Sequence, residues 1–144
     1  MQYKRVIMAV AAAAVVLPLA VLSAGKAGYV GEATCATCHE KEAAAYANTP
    51  HVKTLETLKA NGADANAECL GCHVTGWDGA KFTDGAVTCE ACHGPGADHV
   101  NATPETAKTT IKASGEAECR VCHTADWSPK FDYAVYKAKG THAG

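Results

Sequence analysis

Apolar and polar positions fall in blocks along this chain. Residues 6–22 form an apolar run broken only by Pro18, with Lys4 and Arg5 ahead of it and small residues from Ser23 to Gly28 behind. Charged, apolar and small segments in that order predict a cleaved secretory signal over residues 1–24, or to 27 if cleavage follows Ala27 rather than Ala24. A run of about 17 apolar residues also reaches the lower limit for a membrane anchor. Pro18 and the small-residue stretch suit a peptidase site better. The remainder, 25–144, reads as one domain of short helices. Helical patterns fall at 40–47, 104–113 and 132–139. Another helix opens with Thr49 as its cap and Pro50 at its first position. It carries Val52, Leu55 and Leu58 at helical spacing and stops at Asn61-Gly62. Residues 76–85 and 94–96 are turns, and strand signals are nearly absent.

Composition shows why this domain is unusual. With two Trp, two Phe and much Ala, Gly and Thr, the 144-residue chain has little from which to build an ordinary core. Removing residues 1–24 takes away two positive charges and moves the net charge from −2 to −4. A mildly acidic chain without a basic stripe does not suit nucleic acid.

All eight cysteines fall into the pattern Cys-x-x-Cys-His: Cys35, Cys38 and His39; Cys69, Cys72 and His73; Cys89, Cys92 and His93; Cys119, Cys122 and His123. This is the spacing of haem c attachment, in which two thiols add across the porphyrin vinyl groups and the following His coordinates the iron. Export by itself favours disulfides, paired Cys-x-x-Cys motifs bind zinc, and thioredoxin-like dithiols need a βαβ setting. None of these explains a His after every pair. The second and fourth copies share Ala-Glu before the first Cys and a Trp four residues after the His (Trp77, Trp127). The first and third share a preceding Thr (Thr34, Thr88), and the repeats lie 54 and 50 residues apart, which suggests a duplicated two-haem unit. Both Trp are expected to pack on haem edges. The fold class expected is mainly α: short helices and loops wrapped around four covalently bound haems, with minimal strand.

The axial ligands can be counted. Besides the four proximal His there are three others, His51, His99 and His142, and the two Met, Met1 and Met8, lie in the signal segment. At most three irons are therefore bis-His, and one lacks a His or Met on its distal side. Without thioether ligands the haems are expected at low potential. His51 lies beside the apolar stripe of Val52, Leu55 and Leu58. His99, six residues past His93, has too short a tether to reach the far face of the same haem easily. His142 stands near the chain end, after the third helical pattern.

The run Cys89-Glu90-Ala91-Cys92-His93-Gly94-Pro95-Gly96, with His99 shortly after, resembles the third-haem motif of the cytochrome c-554 type of tetrahaem c-type cytochromes. His51 twelve residues past His39, and the segment from Cys69 to Trp77, fit the same family, so the likeness extends over about residues 30–142. The resemblance implies a mostly α-helical fold with haems stacked in parallel and perpendicular pairs, and electron shuttling in the periplasm. It further implies that His51 ligates the haem of His93, His99 that of His39 and His142 that of His123, leaving the haem of His73 five-coordinate. The chain is short for this family, so substrate and partners do not carry over.

The function expected is periplasmic electron transfer through four low-potential haems, with redox proteins as donors and acceptors, among them a membrane quinol-oxidising complex or a terminal reductase. Two other readings follow from the same features. The open haem suits a reductase of nitric oxide or peroxide. A homo-oligomer in which subunits share ligands would be an extracellular cytochrome filament.

Overall fold

The computed structural model describes residues 27–142; the signal segment expected at 1–24 lies outside them. Among the described residues the elements are all short: α1 (Glu32–Ala36), α2 (Glu40–Tyr46), a 3-10 turn (Pro50–Lys53), α3 (Thr54–Ala60), α4 (Ala67–His73), α5 (Cys89–His93), α6 (Ala97–Val100), a second 3-10 turn (Ala107–Thr109), α7 (Glu116–Arg120) and α8 (Tyr133–Gly140). Strand is reduced to one isolated antiparallel bridge between Thr75 and Asp84. No described helix is long and apolar enough to cross a membrane.

The apolar core is small. Leu58 from α3 meets Leu70 and Val74 at the end of α4, with Leu55, Cys69, Trp77 and Phe82 packed around them. Each such side chain contributes roughly 1.5–3 kcal/mol on burial. So few cannot offset the entropy of ordering the whole chain. A buried polar cluster extends the core: Thr75 and Thr88 are both 1 % exposed. Thr88 donates from its hydroxyl to Thr75 Oγ1 (3.1 Å) and Asp84 Oδ2 (2.8 Å), and Thr75 donates to the Ala86 carbonyl (2.8 Å). Asp84 Oδ2 also accepts from Glu32 N (3.0 Å), which ties α1 to this loop.

Two expectations need correction. Residues 104–113 do not form a helix; only the Ala107–Thr109 turn is present. Here Thr106, Thr109 and Thr110 donate their hydroxyls to carbonyls three residues back, a local alternative to a helix ladder. Thr49 makes no side-chain cap bond, although Pro50 does open the turn that follows. The helix begins again only at Thr54, because Lys53 leaves helical geometry with φ −112°. Trp77 packs on the protein core, while Trp127 projects from the protein surface beside the fourth motif.

Candidate functional site

Each Cys-x-x-Cys-His copy occupies about one helical turn. The Cys–His spacing of four residues puts both thiols and the imidazole on one side of that turn. In the first and fourth copies the turn is closed by His39 N donating to Cys35 O (3.0 Å) and His123 N to Cys119 O (2.9 Å). Local capping adds support at the second and fourth copies: Asn66 accepts from Glu68 N ahead of the second, and Glu118 accepts from Gly115 N ahead of the fourth.

The imidazoles meet in pairs drawn from distant parts of the chain. Ring centres are 6.0 Å apart for His39 and His99, 6.1 Å for His93 and His142, and 6.2 Å for His51 and His123. Ring planes meet at 24° in the first two pairs and 60° in the third. Two imidazoles bonded to opposite sides of one metal at ~2 Å per bond have centres ~6 Å apart, so all three pairs fit a shared iron. His73 stands outside these pairs among the described residues. The His39–His99 pair is the one the family resemblance implies. The other two are exchanged relative to it: His51 faces His123, not His93, and His142 faces His93, not His123. The cause is α8, which runs past His51 and carries His142 beyond it to the third motif.

Hydrogen bonding prepares the rings as ligands. The Nδ1 atoms of His51, His73, His93 and His99 lie 2.9, 3.1, 2.8 and 2.9 Å from the carbonyls of Gly140, Thr54, Lys112 and Ala107. A carbonyl only accepts, so Nδ1 carries the proton and Nε2 keeps its lone pair for iron. His123 has the Ser128 hydroxyl at 2.9 Å instead. Burial, then the nearby His51, lowers the His123 pKa and favours its neutral, ligating form.

Sulfurs of different copies come close to one another. Cys35 is hydrogen-bonded to Cys89, and burial followed by this neighbour pushes the Cys35 thiol up to about 12. Cys92 is raised by burial and then by Cys119. Cys122 is pushed up to about 12 by burial and then by Cys72. The first copy therefore adjoins the third, the fourth adjoins the second, and the third lies within electrostatic reach of the fourth.

Two positioning residues had gone unnoticed in the sequence. Glu90, 2 % exposed, sits between the third-copy cysteines. Its carboxylate accepts from Val30 N (3.0 and 3.1 Å), Gly31 N (2.8 Å) and Gly96 N (2.7 Å). A Cβ on Gly96 would lie 3.2 Å from Glu90 Oε1, so the loop approaches closely because it is Gly. The available signal was a carboxylate inside a motif whose neighbours are small. Thr54 is the second. Its carbonyl faces the His73 ring, its hydroxyl reaches the carbonyls of His51 (2.9 Å) and His73 (2.7 Å), and it accepts from Val87 N (3.0 Å). Thr54→Val keeps the shape and removes these bonds. A loss of about 1–3 kcal/mol is expected in thermal melts of the haem-loaded protein; an unchanged midpoint would show that the hydroxyl does not bind these segments together.

Residues 34–94, which span the first three copies, match the family described as cytochrome c554 and c-prime. Cytochrome c-554 of Nitrosomonas europaea is 30 % identical over 96 residues, covering 51 % of this chain and 41 % of that protein. The chain thus spans about two fifths of that relative's length. The solved structure of reduced cytochrome c554 from the same organism superposes with a TM-score of 0.62 at 20 % identity, over 79 % of this chain and 84 % of the other. That likeness is one of fold. The likeness supports four covalently bound haem c groups, and the four Cys-x-x-Cys-His motifs are the residues that would hold them.

Proposed function

We infer from its similarity to the cytochrome c-554 type of tetrahaem c-type cytochromes that this chain is a periplasmic electron carrier whose four haems form one continuous relay. The observation that carries this reading is the approach of attachment cysteines from different motifs: Cys35 is hydrogen-bonded to Cys89 and Cys122 to Cys72, with Cys92 and Cys119 within electrostatic reach between them. Anchors this close keep each haem beside the next, and covalent attachment holds that spacing without a large core. The haems supply one-electron chemistry; the chain supplies orientation, ligands and exclusion of water.

His39 with His99, His93 with His142 and His51 with His123 are taken as the axial pairs, supported by their ring spacing and by Nδ1 partners that leave Nε2 free in most of them. His73 then holds its iron from one side only. Redox proteins are the expected donors and acceptors. Reductive titration of the haem-loaded protein should take up four electrons per chain, one per motif, all at the low potentials of haems without Met ligands. Fewer electrons, or a haem at high potential, contradicts the relay.

A second reading follows from His73 alone. A five-coordinate iron admits nitric oxide or peroxide, and the relay would then feed a reductase. Consumption of either by the reduced protein, blocked by CO, is the test that separates the two.

A further inference from the structure

Four axial imidazoles share one arrangement, with Nδ1–H donating to the main-chain carbonyls of Gly140, Thr54, Lys112 and Ala107. His123 differs. Its partner is the Ser128 hydroxyl at 2.9 Å, held in a turn in which Ser128 N donates to Thr124 O (2.8 Å) and Phe131 N to Ser128 O (2.9 Å). A strong acceptor at Nδ1 raises the basicity of Nε2 and favours ferric iron. An alcohol oxygen is a weaker acceptor than an amide carbonyl, so it favours ferric iron less.

A second, independent feature acts in the same direction. The planes of His51 and His123 cross at 60°, against 24° in the other two pairs. Near-parallel imidazole planes concentrate π-donation on one iron d orbital and stabilise the ferric hole there; crossed planes divide it and lose that stabilisation. Around the same ring, Phe131 stacks at 5.2 Å and Tyr136 meets it edge-on at 5.1 Å, which limits the room for a water to replace the hydroxyl.

We propose that the crossed ligand planes, which neither other pair has, together with the weak acceptor Ser128, give the haem held by His123 and His51 the highest potential of the three six-coordinate haems. Among those three it is then the place where an electron rests. This rests on the relay reading, in which that haem adjoins the one held by His73 through Cys122 and Cys72. Ser128 acts through His123 and is a positioning residue.

The test is a redox titration followed by EPR on the haem-loaded full chain, using wild type, Ser128→Ala, Ser128→Asp and Ser128→Thr. Crossed planes give a ferric low-spin signal with a larger maximal g value than near-parallel ones, so the haem identifies itself. In wild type that signal is expected to vanish first of the three low-spin signals as the potential is lowered. Ser128→Ala should raise its reduced-to-oxidised ratio several-fold at a fixed potential, Ser128→Asp should lower it, and Ser128→Thr should leave it in place. A merely structural role moves Ala and Asp in the same direction. The proposal is overturned by that result, by variants that leave the signal unmoved, or by a wild-type signal that is not first to go. If no crossed-plane signal exists at all, the axial pairing has failed, and the proposal falls with it.

Discussion

Replacing Glu90 with alanine is expected to remove most of the haem-loaded protein. The buried carboxylate satisfies the main-chain N–H groups of Val30, Gly31 and Gly96 at 2.7–3.1 Å. Truncation leaves three buried donors without a partner and a void where the side chain stood. At about 1–3 kcal/mol for each orphaned group, softened by local rearrangement, the loss is roughly 3–5 kcal/mol, a large part of the stability of an ordinary domain. The segment before α1 and the loop after α5 are both fastened by this one side chain, so the first and third motifs should lose their mutual register together. Glu90→Gln keeps the volume but turns an amide N–H₂ toward main-chain donors, and should cost about half as much. Yield of haem-stained protein and the thermal midpoint report the effect. An alanine variant that accumulates and melts as wild type does would show that the four bonds carry no net stability.

Replacing His142 with alanine is expected to open a second iron. In the reduced wild-type protein only the haem of His73 lacks a second imidazole; in His142→Ala the haem of His93 joins it, and CO uptake should double. His51→Ala should double it too, at the haem of His123. EPR separates the two variants. The crossed-plane signal belongs to the pair of His51 and His123, so His51→Ala should abolish it and His142→Ala should leave it intact. The opposite outcome would restore the pairing implied by the family resemblance.

Much of this site was legible in the sequence because its chemistry is local. Cys-x-x-Cys-His is read within five residues, and counting seven His against four motifs leaves one haem short of a ligand whatever the fold. The pairing was not legible. His51 and His123 meet across 72 positions and His93 and His142 across 49, through the path of α8, which no local pattern specifies. The segment 104–113 misled for another reason: its residues allow a helix, but Thr hydroxyls bond to nearby carbonyls there, and the chain is needed extended at Lys112, whose carbonyl faces the His93 ring. The helix 132–139 was readable to within a residue because Asp132 caps it, accepting from Val135 N at 3.0 Å. Glu90 escaped notice because a carboxylate between motif cysteines looks like any surface Glu until the segments at Val30 and Gly96 are folded onto it.

The most direct measurement is CO binding to the fully reduced, haem-loaded protein, with EPR of its oxidised form. One CO per chain, beside three low-spin ferric signals of which one is the crossed-plane type, is the result that the three imidazole pairs and the lone His73 predict. No CO bound and four low-spin signals, or two or more CO bound, would contradict them.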